Sequence, residues 1–407
     1  MDYEVIISGG GLNGITLALA LNHAGISVAI VDKLPHETIS LGNFTGRSYA
    51  LSSASKKMLS VLNLWQSLTH TAQPMLEIKV TDGSVGIGPS PFMMHFGQND
   101  FSDGPMGFVV EDRHLRQSLI KSLIQSDIKY FSETTILKQT LNDSAATVDL
   151  DNGKTLTAAV LVGADGRNSK TAWAAKINRT GWNYEQSSLV CAIKHEKPHN
   201  GIAYQHFLPT GPLAILPLTG NCSGIVWTEK IRTAKIIHAL NKNAYLDALR
   251  PRVGEFLGSI SLVGTREIYS LSLSMVHHMI DARLALVGDA AHVIHPIAGQ
   301  GLNAGFKDIA ALTEVLCEAK RRGQDLGAHS TLDQYQRWRR FDNAMLGVAT
   351  NGFNNMFSNS NAIPRTIRNL GLAVVNNTNF LRRAFVSSAA GQFGDLPKLL
   401  QGKSLNN

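Results

Sequence analysis

The residues best placed to do chemistry are three carboxylates that each close an apolar run: Asp32, Asp165 and Asp289. An acid at the C-terminal end of a parallel strand faces the crevice where ligands bind in open α/β sheets. Such a carboxylate accepts hydrogen bonds from the hydroxyls of a ribose or a ribitol. Asp32 ends a unit with a definite spacing. Val5-Ile6-Ile7-Ser8 reads as a buried strand, and Gly9-Gly10-Gly11-Leu12-Asn13-Gly14 follows it. Gly9, Gly11 and Gly14 match G-x-G-x-x-G. Ile15 to Leu21 is an apolar helical run, His23-Ala24-Gly25 stops it, and Ser27 to Val31 is a second strand. In this pattern Gly9 allows a tight turn, Gly11 lets backbone approach a pyrophosphate, and Gly14 allows close helix–strand packing. The helix start offers N–H groups to phosphate. The unit reads as dinucleotide-binding and leaves NAD and FAD both open.

The other two acids sit in reversed dipeptides. Asp165-Gly166 follows an apolar strand from Ala159 to Val162. On its own, Asp-Gly is also a common turn pair. Gly288-Asp289 follows Leu284 to Val287, and Ala290-Ala291-His292, Pro296, Gly299-Gln300-Gly301-Leu302-Asn303 and Gly305 come next. There a strand ends at an acid and a helix soon begins.

Together the three segments resemble the FAD-dependent aromatic hydroxylases of the p-hydroxybenzoate hydroxylase type, which carry a G-x-G-x-x-G loop, a D-G motif and a G-D motif in this order. The chain is further similar to the ubiquinone-biosynthesis hydroxylase branch. Arg47-Ser48-Tyr49-Ala50-Leu51-Ser52 resembles its R-x-x-A-L-S segment, and Leu62-Asn63-Leu64-Trp65 its L-G-x-W. Gln205-His206-Phe207, Leu216-Pro217-Leu218 and Val226-Trp227 resemble its middle region. The similarity runs from Tyr3 to about Pro397. Three positions depart from the pattern: Ala172 where members often carry Arg, Asn63 for Gly, and Thr350-Asn351 for Thr-Asp. None is a flavin glycine.

The resemblance implies an FAD site made by Gly9, Gly11, Gly14, Asp32, Arg47, Arg113, Asp165, Gly288, Asp289, Pro296, Gly299, Gly301, Leu302 and Asn303. It implies NAD(P)H as a transient reductant, O2 as oxygen donor, and a polyprenylphenol of ubiquinone synthesis as substrate. The helix opening near Gly299 would aim N–H groups at anionic reduced flavin. The catalytic residue that deprotonates the phenol is not assigned. Two other readings stay open: a flavin hydroxylase or halogenase of a soluble aromatic, and a non-catalytic flavin-binding scaffold.

Motifs this far apart must meet around one cofactor, so the expected fold is α/β: a Rossmann-like FAD-binding domain with an inserted antiparallel-sheet substrate domain and C-terminal helices. The FAD domain is expected to be discontinuous, from residues 1–75, 100–180 and 275–340. Residues 76–99 and 181–274 form the substrate domain, and 341–407 a C-terminal helical region. Strand-like runs occur at Leu76–Thr81, Leu189–Lys194, Ala203–Phe207, Leu213–Pro217 and Gly224–Thr228. Tyr335, Trp338, Phe341 and Met345 recur at helical spacing and read as core.

Composition narrows the partners. The 407 residues carry 38 Lys and Arg against 31 Asp and Glu, a net charge of +7. Hydrophobic residues make up 44% and charged residues 17%, which argues against a disordered or coiled-coil chain. Cys191, Cys222 and Cys317 are far apart and form no CxxC pair, against a disulfide framework or a Cys zinc site. No metal is expected; His292 and His295 lack Cys or Glu partners at ligand spacing and read as satisfying local backbone bonds. The scattered cysteines point to a reducing cytoplasm, and no secretory signal or run of about 20 apolar residues is present. Between Asp342 and Asp395 there is no acid, while Arg365, Arg368, Arg382 and Arg383 lie there beside Leu370, Leu372, Phe380 and Phe385. Two readings stay open: a helix packed on the FAD domain, or a basic amphipathic surface that touches the inner face of a membrane. Other quinone-biosynthesis enzymes are further possible partners. Nucleic acid is not expected, because no stacking-aromatic module accompanies the charge.

Overall fold

A computed structural model describes residues 1–35, 44, 46–84, 88–97, 104–295, 299–340, 342 and 394–405. Pro296, Phe341, Met345, Asn351 and the basic segment with Arg365, Arg368, Arg382 and Arg383 lie outside these residues.

The first sheet is built on parallel strands in the order β18 (Leu284–Leu286), β11 (Thr155–Gly163), β1 (Tyr3–Ser8), β2 (Val28–Val31), β8 (Lys129–Phe131). β17 (Ile280–Asp281) adds antiparallel to β18. β10 (Ala146–Leu150) pairs antiparallel with β11 and with β9 (Ile136–Leu141). Val5, Ile6, Ile7, Val160, Leu161 and Val162 are fully buried. A strand covered on both faces needs such a continuous apolar run. Helix α1 (Leu12–His23) packs on this sheet and against α7 (Gln300–Arg321). Between them in sequence come α2 (Ser53–Val61), α3 (Asp112–Ile124), α4 (Lys170–Ala174), α5 (Ile231–Ala239) and α6 (Lys242–Val253). A small sheet, β3 (Ser48–Ser52), β7 (Gly107–Glu111) and β4 (Gln73–Met75), lies beside the nucleotide motifs in the chain's first third.

The second large sheet runs β19 (His292–Val293), β16 (Ile260–Val276), β12 (Arg179–His195), β15 (Cys222–Lys230), β14 (Gly211–Leu218), β13 (Ile202–Leu208), β5 (Glu77–Ser84), β6 (Gly88–Phe96). Its ladders are antiparallel except β13–β5, which is parallel. β5 enters from more than a hundred residues upstream, so no hairpin dictates its direction. Period-2 alternation gives the sheet two apolar faces. Leu189, Cys191, Leu213, Ile215, Ile225 and Trp227 pack on one face with Tyr245, Leu249 and Val253 of α6. Their neighbours Val190, Ala214, Leu216 and Val226 point the other way, into a cavity.

The two large sheets meet at a seam. Long strands β12 and β16 extend past the second sheet's centre, and β19, just after Asp289, pairs with the end of β16. Residues 329–340 are helical, with Tyr335 fully buried and its hydroxyl donating to Leu286 O at 2.7 Å. Among the described residues, no helix is long and apolar enough to cross a membrane.

Candidate active site

A cavity of about 560 Å³ lies between the sheets. One wall is backbone-rich: Gly11 and Asn13 of the first loop, Ala164 and Gly166 of the second, Asp289, and Gly299 to Leu302. The opposite wall is the free apolar face of the second sheet. The three motifs, separated by up to 280 residues, thus border one space.

The first loop explains its glycines locally. A Cβ on Gly14 would fall 1.9 Å from Gly9 O, so any side chain would push α1 off the turn. Gly11 is the N-cap of α1, with no side chain capping the first turn. A Cβ there would meet nothing within 4 Å, and the same holds at Gly301 in the first turn of α7. Two helix starts with no side-chain cap among the described residues therefore open on the cavity, which suits phosphate and other anionic groups. Asp32 closes β2 and accepts from Gly10 N and, at 2.7 Å, from Leu34 N. It braces the glycine loop and does not line the cavity.

Asp165 and Asp289 are placed differently. Asp165 Oδ2 accepts from Thr171 N and Thr171 Oγ1, both at 3.0 Å, and so ties itself to the first turn of α4, whose N-cap is Ser169. Among the described residues, its buried Oδ1 has no hydrogen-bond partner. Asp289 lines the cavity from a 3-10 turn, Gly288–Ala290. Gly288 has φ +58°, and a Cβ there would strike the Asn13 amide at 2.1 Å. Asn13, an unassigned position of the first loop, thereby locks that loop against the G-D turn.

Of the remaining expected residues, Arg47, Gly299, Gly301 and Leu302 line the cavity. The Arg47 guanidinium lies over the Tyr49 and Tyr269 rings, at 5.4 and 5.2 Å. Burial pushes the Tyr49 phenol up, and the hydroxyl donates to Asp112 Oδ1 at 2.7 Å. Arg113 does not line the cavity; its Nε donates to Glu111 at 2.7 Å, while Arg116 of the same helix reaches the cavity wall. Asn303 is buried. Its amide oxygen accepts from Ser52 N and Ser55 Oγ, and its nitrogen donates to Ala50 O at 2.8 Å, tying α7 to β3 and α2.

The histidines correct the expectation of local backbone bonds. His292 Nε2 lies 2.6 Å from Asp308 Oδ2, a carboxylate one helical face away on α7. Arg339 Nε donates to the other oxygen at 2.9 Å. Burial raises Asp308, but His292 and Arg339 outweigh it and hold the carboxyl down at about 2. The same Oδ2 accepts from Gly288 N at 2.9 Å, so this buried group holds the G-D turn by its amide. His295 is fully buried with its ring edge-on to Tyr184 at 5.0 Å, and both ring nitrogens lack partners among the described residues. Burial pushes its pKa down to about 4. Among the described residues, no group of three His, Cys, Asp or Glu could hold a metal ion.

Helix starts that face the cavity, a cavity-facing carboxylate and an apolar opposite wall fit a flavin dinucleotide and an aromatic substrate. Comparison with known proteins agrees. Residues 2–345 match the FAD binding domain family. The chain belongs to that family and is an FAD-dependent aromatic-ring monooxygenase. Within the family it is 38% identical to ubiquinone hydroxylase UbiL of Rhodospirillum rubrum, over 99% of this chain and 93% of that protein. It is 28% identical to the mitochondrial ubiquinone biosynthesis monooxygenase COQ6 of Rattus norvegicus, over 95% of this chain and 91% of that protein. The fold matches p-nitrophenol 4-monooxygenase PnpA of Pseudomonas putida DLL-E4 with a TM-score of 0.78 at 16% identity, covering 97% and 99% of the two chains.

Proposed function

We propose that this chain hydroxylates the ring of a polyprenylphenol in ubiquinone biosynthesis, with electrons from NAD(P)H and oxygen from O2. One observation carries the reading: a single cavity joins the bare backbone of the nucleotide motifs to an apolar sheet face. The names of the relatives point to the same pathway. When bound, FAD supplies the electron- and oxygen-transfer chemistry.

The protein's own residues bind, orient and exclude water. The start of α1 at Gly11 would take the pyrophosphate. Asp289 would accept hydroxyls of the ribityl chain, and the α7 start at Gly299 to Leu302 would direct N–H groups at negative charge. Val190, Ala214, Leu216 and Val226 form a dry wall for an aromatic ring and a prenyl chain. No second G-x-G-x-x-G follows a strand, so NAD(P)H would dock transiently. Contact with an anionic membrane surface belongs to this proposal, because a lipid-like substrate must reach the cavity.

The test is the visible spectrum of purified protein under anaerobic NAD(P)H, with and without a prenylphenol. Flavin bands that bleach faster with the prenylphenol support the proposal. Faster bleaching with a small soluble phenol alone would assign a soluble substrate. Bands that never bleach favour the scaffold reading.

A further inference from the structure

The G-D turn is also held by its carbonyls, from an element of the other sheet. Arg179 opens β12, and its side chain runs across β16 to the G-D turn. Its Nε donates to Ser274 Oγ on β16 at 2.9 Å. Its Nη1 donates to Ala290 O at 2.7 Å and its Nη2 to Asp289 O at 3.2 Å. Two nitrogens of one planar fork thus grip two successive carbonyls of the turn that carries Asp289. A guanidinium is rigid, so the two carbonyls cannot rotate independently. The opposite side of the turn is pinned by Asp308 through Gly288 N. Beside it, β19 anchors the following residues to β16. The charge is matched as well. Burial lowers the Arg179 pKa, and the Asp289 and Asp165 carboxylates raise it against that trend. No motif includes Arg179, which lies between the D-G segment and the second domain.

We propose that Arg179 is a positioning residue for the cofactor site: its fork on the Asp289 and Ala290 carbonyls sets the direction in which the G-D turn presents Asp289 to the cavity. The grip comes from the second sheet, so docking of that sheet on the nucleotide domain and capture of FAD are coupled through one side chain. The inference rests on reading Asp289 as a flavin ligand.

The test uses apoprotein titrated with FAD, followed by flavin fluorescence and by circular dichroism in the flavin bands. Arg179→Lys keeps the charge and stem but loses the fork; Arg179→Met loses both. Each is expected to weaken FAD binding by about tenfold or more, the scale of a lost hydrogen bond to a charged group. Each should also change the flavin-band dichroism, while the apoprotein melting temperature of Arg179→Lys stays within about 2 °C of the parent. Ser274→Ala, which leaves both carbonyl contacts in place, should bind FAD normally. Normal FAD affinity in Arg179→Lys overturns the proposal. So does an affinity loss with unchanged dichroism that merely follows a fall in apoprotein melting, because that is a structural role. Asp289→Ala is run in parallel. If it loses FAD while Arg179→Lys does not, only this inference fails; if it retains FAD, the reading of Asp289 fails first.

Discussion

The D-G turn at Asp165 and the G-D turn at Asp289 contain the same two residue types and border the same space, yet their carboxylates are used in opposite ways. Asp165 spends one oxygen on Thr171, inside its own turn and helix. Asp289 points to the cavity because other elements hold its turn. Asp308 takes the Gly288 amide, Arg179 takes the Asp289 and Ala290 carbonyls, and Asn13 fills the space over Gly288. A carboxylate that need not stabilise its own turn is left available for a ligand. The dipeptide alone does not decide this; the neighbours that satisfy its backbone do.

That contrast makes breakable predictions. The largest effect should come from Asp308→Ala. It removes a buried carboxylate from His292, Arg339 and the Gly288 amide at once, and should cost about 3–5 kcal/mol in urea unfolding. A loss under about 1 kcal/mol would mean the G-D turn is not held this way.

Acid sensitivity on the G-D side should come from His295, which is buried there. The unfolded His295 takes a proton near 6.5, the ordinary value for histidine, while the folded one resists until about 4. Between those values the unfolded state binds more protons, so stability falls as pH falls. The contribution is about 3 kcal/mol across the window. His295→Leu should flatten that part of the pH–stability curve, and an unchanged slope would reject the assignment.

On the other side, Asp165→Ala should cost about 1–2 kcal/mol through the lost bonds to Thr171 N and Oγ1. A much larger loss would put Asp165 in a network like that of Asp308. The smallest effect is expected from a change that touches neither turn. Val226→Phe on the apolar wall should raise KM for a prenylphenol several-fold, about 1 kcal/mol, with FAD content unchanged. Lost flavin in that variant would show that the two walls are not separate in function.

Much of this was legible in the sequence because it is local. The β1–α1 unit follows from glycine spacing within 30 residues, and the alternation of β14 and β15 follows from period 2. What was not legible depends on partners distant in the chain. His292 reads as an isolated histidine until α7 brings Asp308 beside it, and Asp308 reads as an ordinary acid on an amphipathic helix. Arg179 is 110 residues from Asp289, and nothing in its neighbours marks it. Asn303 belongs to the run that follows the G-D turn, but its side chain ties α7 to Ser52 and Ser55 rather than facing the cavity. The parallel β13–β5 pair likewise depends on where a distant strand enters the sheet.

The most direct measurement is the FAD dissociation constant of Asp289→Ala and Asp165→Ala apoproteins, side by side with the parent chain. A cavity-facing ligand acid and an inward-turned brace predict a large loss at Asp289 and a loss at Asp165 at least about tenfold smaller. Equal losses, or a larger one at Asp165, would contradict the account.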